Sequence, residues 1–166
     1  MRAAACALVA ELGQQDAIER LRELSADPDA GVTAAADLTR GRLGDRTVKP
    51  ILEQRLRAAA AGEISRFARA LVDIADANTV VLLGRAAERA DSSVRAAVVE
   101  TLGEIDASAA VAWLVRFAGD ESPDVRIAVA RALAEHDDPR ALAALRRLVD
   151  DSDPKVRACA SVIVSE

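Results

Sequence analysis

Apolar side chains return along this chain at two nested periods. Within 94–105, Val94, Val98, Thr101, Leu102 and Ile105 fall at i, i+4, i+7, i+8 and i+11, the stripe of one amphipathic helix. A turn follows near Asp106. Ala110, Val111, Leu114, Phe117 and Ala118 then mark the buried face of a second helix. The longer period is 31 residues, the spacing between Val94-Arg95, Val125-Arg126 and Val156-Arg157. Stepping backward, Val32 keeps the valine column and Glu63 does not. Leu21, Leu52, Leu83, Leu114 and Leu145 form an unbroken leucine column. Leu12, Leu43, Ile74 and Ile105 form another, interrupted at His136, and Ala17, Val48, Thr79, Ala110 and Ala141 a third with small or β-branched side chains.

Turn chemistry falls at the boundaries of this register. In "HDDPRAL", Asp138 suits an N-cap and Pro139 the first helical position. Asp45 or Thr47, and Asp76, can cap the equivalent helices of earlier units. Pro50 falls in a first turn, where proline is tolerated. Between units, "DESPDV" and "DSDPKV" repeat the arrangement for the next first helix. The pattern predicts one all-α domain, 1–166. It holds five helix-turn-helix units, 1–31, 32–62, 63–93, 94–124 and 125–155, and the opening of a sixth, 156–166. A helix pair this short cannot bury its own apolar face, so the units stack on one another.

The Val-Arg pairs, the "LGEI" of 102–105 and the "DDPRAL" of 137–142 resemble the HEAT-repeat superfamily. The likeness is to short bacterial HEAT-like repeats of the phycobilisome-lyase type. It spans the chain, is strongest from Asp91 onward, and is weakest where Thr33 and Ile64 replace the arginine. It implies a right-handed α-solenoid (an α-α superhelix) with first helices on the convex side and second helices on the concave side. It also implies a ladder in which each arginine pairs with an aspartate of the preceding turn. Asp120 with Arg126 and Asp151 with Arg157 have that spacing, and the ladder should lapse where Asp27 faces Thr33.

Charge narrows the range of partners. The net charge is -5 and the pI about 5.0, so the overall field repels nucleic acid and acidic membranes. No segment is long and apolar enough to span a bilayer, and the opening "MRAAACALVAELG" reads as a helix. The cytoplasm is the expected compartment. Both ends lack the polar outer face that usually closes a solenoid. The chain is therefore expected to be a stretch of a longer repeat protein, the other reading being a small protein whose ends dimerise.

Candidate chemistry is sparse. His136 is the only histidine and stands in an otherwise aliphatic column, which makes it a core-edge residue. Deoxyhypusine hydroxylases, which share the HEAT-like fold, hold two irons through repeated His-Glu pairs. Here one pair occurs, Glu135-His136, reversed and unrepeated. Cys6 and Cys159 lie at opposite ends of the stack, beyond disulfide reach, and read as small buried apolar residues. No metal, cofactor or catalytic residue is expected.

The candidate binding residues lie on the second helices. With the Leu114 column at the buried centre, the column of Arg85, Arg116 and Arg147 points about 160° away. Val81, Ala112 and Ala143 also point outward, with Asn78 and Arg140 at the edge. Glu23 and Gln54 hold the arginine position in the first two units, confining the basic strip to the C-terminal half. Phe117 falls near the buried stripe. Trp113, in a column with Arg20, Ile51, Leu82 and Ala144, lies about 100° from the buried centre. It is expected over the seam between second helices with one face open to a partner. Trp and Arg are enriched at interface hot spots. The expected function is a non-enzymatic protein–protein interaction scaffold. Its concave groove would bind an acidic or acidic-apolar segment through Arg85, Arg116 and Arg147, with Leu82 and Trp113 as apolar anchors. The alternative is an accessory subunit or domain of an enzyme, bilin-lyase-like or DNA-repair-like, without its own catalytic site.

Overall fold

A computed structural model describes residues 14–165. Cys6, Leu12 and the first helix of the first unit lie outside the described residues. Ten α-helices and no strand occur among the described residues. They are α1 (Gln14–Leu24), α2 (Ala30–Arg42), α3 (Lys49–Ala58), α4 (Ile64–Leu71), α5 (Ala77–Glu88), α6 (Ser92–Gly103), α7 (Ser108–Phe117), α8 (Pro123–Ala134), α9 (Pro139–Leu148) and α10 (Pro154–Ser165). The first helices α6, α8 and α10 begin at 92, 123 and 154, and the second helices α5, α7 and α9 at 77, 108 and 139. In earlier units the same register is opened by short 3-10 turns, Arg46–Val48 and Ala61–Glu63. At the second of these Ala60 stands in the cap position, and its methyl can accept no hydrogen bond.

The helices form two layers. First helices α2, α4, α6, α8 and α10 pack in order on one another, as do second helices α3, α5, α7 and α9. Each second helix also packs on the first helix that follows it. The result is an α-solenoid. The leucine column is its spine: Leu21, Leu52, Leu83 and Leu114 are wholly buried and Leu145 nearly so. Phe117 is buried as well. Gly103 permits a close approach of first helices, since a Cβ there would lie 2.7 Å from that of Ala132, and Gly41 does the same against the Ala70 carbonyl. His136 holds the position that Ile74 and Ile105 fill in the core. It is half-buried, and its Nε2 is enclosed without a partner. Cys159 is half-buried, not enclosed.

Asp45, Asp76 and Asp138 cap their helices by accepting from Thr47, Thr79 and Arg140 amides. Each thereby satisfies an N–H that the helix leaves without an internal acceptor. Between Asp45 and Thr47, the cap of the second unit is Asp45. Its carboxylate is also buried in an ionic network with Arg22 and Arg40, beside the Asp37–Arg55 pair. Burial pushes the Asp45 carboxyl up. Hydrogen bonds from Thr47, Arg22 and Arg40 outweigh that and hold it well below the usual carboxylate range.

The arginine ladder exists, but its direction differs from the expected one. Arg126 donates Nε and Nη2 to Asp151, both at 2.8 Å, and Nη1 to the Asp120 carbonyl at 2.7 Å. Arg95 likewise grips Asp120, at 2.7 and 3.0 Å, and the Ala90 carbonyl. Arg157 reaches the Asp151 and Ser152 carbonyls. Each arginine thus holds the backbone of the preceding turn and, for Arg95 and Arg126, the carboxylate of the following one. The pairs expected between Asp120 and Arg126 and between Asp151 and Arg157 are backbone contacts. The reason is reach: from the first helical turn, a guanidinium can bridge both edges of its repeat. At the lapsed rung, the Thr33 hydroxyl donates to the Asp27 carbonyl. At the next joint Arg89 replaces the aspartate, and it reaches back to the Ala59 and Leu56 carbonyls that end α3.

Hydrogen bonding from Arg126 holds the Asp151 carboxyl below its ordinary value. A depressed carboxylate stabilises the fold fully above its unfolded pKa and loses that contribution as pH falls through the folded value. Urea midpoints should therefore be flat from pH 7 to about 5 and fall below about pH 4. Asp151→Asn should cost about 2–3 kcal/mol at pH 7 and flatten part of the acid limb. Asp150→Asn, at an exposed neighbour, should stay within about 0.5 kcal/mol. Equal midpoints for the two variants would show that the rung does not support the stack.

Candidate interaction face

Because second helices lie side by side, a residue recurring every 31 positions makes a row across them. Gln54, Arg85, Arg116 and Arg147 form one such row across α3, α5, α7 and α9, Glu23 holds the equivalent sequence position on α1, and all are exposed. The three arginines sit in the last turns of α5, α7 and α9. There a cation faces the negative end of the helix dipole. Among the described residues Arg85 and Arg147 have no ion-pair or hydrogen-bond partner. Arg116 is engaged. Its guanidinium lies over the Trp113 ring, 5.1 Å from the centroid, and its Nη2 pairs with Glu88 Oε1 at the end of α5.

Trp113 lies half-buried on the seam between α5 and α7. It packs on Gly84 so closely that even a methyl group there would overlap the indole. Glycine is required by that approach, not by backbone conformation. Phe117, one turn on, stacks with the indole at a centroid distance of 5.9 Å. At the next seam the sizes reverse, with Val115 in the place of Gly84 and Ala144 in the place of Trp113. A cavity of about 220 Å³ opens there, lined by Val115, Gly119, Ala144 and Arg147 among others. Toward the other end, Leu82 is partly buried, and Ile51 and Val81 are 41% and 39% exposed.

The sequence-predicted residues therefore share one face in unequal states. Trp113 and Arg116 touch, and the ring side expected to be open carries the Arg116 guanidinium. Arg85 and Arg147 are unpaired on either side, and Leu82 lies on the neighbouring helix. Arg140, expected at the edge, is tied to its own cap. Its side chain, with its backbone N–H, holds the Asp138 carboxyl at about 2. Sequence reasoning missed Glu88 and Gly84. Their signal is arithmetic: each lies one repeat back and within a turn of the residue it meets, 28 positions before Arg116 and 29 before Trp113.

Among the described residues no three His, Cys, Asp or Glu side chains are gathered so as to hold a metal ion. No described helix is long and apolar enough to cross a membrane. The family model for HEAT repeats matches residues 79–163, just over half of the chain. The chain belongs to the HEAT-repeat family. Comparison with curated proteins finds no match. Among solved structures, this HEAT-repeat chain is similar to the complex of CpcE and CpcF of phycocyanin lyase from Nostoc sp. PCC7120. The TM-score is 0.63 at 22% identity, covering 89% of this chain and 98% of that one. It is also similar to human deoxyhypusine hydroxylase in complex with glycerol, with TM-score 0.62 and 24% identity. That match covers 98% of this chain and 65% of the hydroxylase. At these identities the likeness is one of fold.

The Gly84–Trp113 contact makes a sign-reversal test. In the otherwise native HEAT-repeat chain, Gly84→Ala should destabilise by about 1–3 kcal/mol through overpacking. In a Trp113→Ala background it should stabilise by up to about 1 kcal/mol, the helix-propensity gain. Urea unfolding of the four proteins checks this, and the same sign in both backgrounds would remove the close contact.

Proposed function

We propose that this HEAT-repeat chain is a non-enzymatic interaction module whose second-helix groove takes an acidic or acidic-apolar segment of a partner protein. The observation that carries the reading is the pair of unpaired, exposed cations Arg85 and Arg147, flanking the apolar Trp113 and Leu82. They stand on a chain whose net charge is -5. An acidic protein that keeps free arginines beside apolar surface is complementary to a segment carrying carboxylates and aliphatic side chains. Arg85 and Arg147 supply capture, and Trp113 with Leu82 supplies apolar area in a position where aromatic residues dominate binding energy. The similar lyase structure is a complex of two named components, which favours protein partnership as the use of this fold and keeps the accessory-subunit reading as the alternative. In that reading the catalytic groups belong to the partner.

The test uses fluorescein-labelled twelve-residue peptides alternating leucine with Glu, Lys or Ser. Anisotropy at low salt should show binding of the Glu peptide alone, weakening as salt rises. A folded variant carrying Arg85→Glu, Arg116→Glu, Arg147→Glu and Trp113→Ala should lose about ten-fold or more in affinity. Equal binding of all three peptides, or an unaffected variant, would return the arginine row to a solvated surface.

A further inference from the structure

The three arginines of the row are not equivalent. Arg85 and Arg147 have no partner, while Arg116 between them is already paired with the Glu88 carboxylate and lies over Trp113. Both members of that pair face solvent, Arg116 at 66% and Glu88 at 36% side-chain exposure. Glu88 stands on α5, one helix back from the arginine it holds, so the pair straddles the seam on which Trp113 sits. A carboxylate of the protein's own thus occupies the middle cation of a row whose outer cations are empty.

We propose that Glu88 is an internal competitor for the partner's central carboxylate, and so a specificity-determining residue of this face. The inference rests on the acidic-segment reading above and refines it. Helices packed side by side lie roughly 8–10 Å apart, and a peptide in the polyproline II conformation advances roughly 3.1 Å per residue with about three residues per turn, so that every third side chain faces the same way. One repeat therefore corresponds to about three peptide residues, one turn of that helix. The matching segment has the polyproline II form, crosses the second helices, and carries carboxylates about every third position, all on the face turned to the arginine row. Its outer carboxylates meet Arg85 and Arg147, and its middle one must displace Glu88 from Arg116. A segment with only the two outer charges binds without disturbing Glu88. The arrangement discriminates by spacing, because a competitor already in place makes a poorly registered carboxylate no better than none.

The experiment pairs the wild type and Glu88→Gln with two fluorescein-labelled nine-residue peptides. The first has Glu at its second, fifth and eighth positions among Leu and Ser, and the second replaces the middle Glu by Gln. Anisotropy at low salt should show Glu88→Gln binding the first peptide about two- to five-fold tighter than the wild type does, the size expected for releasing one exposed pair. The second peptide should bind the two proteins alike. An equal gain for both peptides would reveal only the loss of a negative charge and overturn the role of Glu88. Binding by the wild type without any gain in the variant would overturn it too, leaving the acidic-segment reading intact. Failure of both proteins to bind either peptide would overturn the two together. Acrylamide quenching of the single tryptophan adds a readout in the free protein. Glu88→Gln should raise the quenching of Trp113 by loosening Arg116 above it, and unchanged quenching would show that Glu88 does not hold Arg116 in place.

Discussion

Each helix pair in this chain depends on its neighbours for a core, because two helices of eight to thirteen residues offer too little surface to enclose each other. Leu83 and Leu114 are buried because consecutive repeats press their apolar stripes into one continuous cluster, running from Val48 to Ala160. Register therefore has to be carried across every joint. Apolar contact is poor at that task, since it is non-directional. The arginines of the first helices supply direction. Arg95 and Arg126 each grip a carbonyl in one turn and a carboxylate in the next, with paired bonds from a planar guanidinium. Where the arginine is missing, other donors take over. Thr33 reaches the equivalent carbonyl, and Arg89 runs a rung in the opposite sense. The first two described repeats go further. A buried network of Asp37, Arg40 and Asp45 adjoins Leu21 and Ala36, which form a cluster separate from the main core.

The same stacking creates the candidate face. Side chains that recur once per repeat on the second helices become rows, so three arginines far apart in sequence stand in one line. Whether a row acts as one site depends on what each member touches. Glu88 occupies Arg116, and Gly84 seats Trp113, so the centre of the face is pre-arranged while its flanks are open. The Trp113 indole is pinned by close packing below and a guanidinium above, which limits the ordering cost of using it in a contact. The exposed Ile51 and Val81 add apolar surface on the second helices beside the row.

The repeat length, the all-helical class, the buried leucine column and the caps at Asp76 and Asp138 were all legible in the sequence. Local chemistry and a strict period set them: a 3.6-residue stripe specifies which face is buried, and a 31-residue recurrence specifies that neighbours share it. The outward placement of Arg85, Arg116 and Arg147 and the core position of Phe117 follow from the same helical geometry. Tertiary structure alone decided which groups meet across a joint. A one-repeat column says that Arg126 recurs. It does not say whether the guanidinium turns to the aspartate six residues before it or to the one twenty-five residues after it. The Glu88–Arg116 pair and the Gly84–Trp113 seat depend on the offset between adjacent helices, about one turn, which no single helix encodes. That offset is set by how side-chain ridges of neighbouring helices interdigitate, a property of two surfaces packed together.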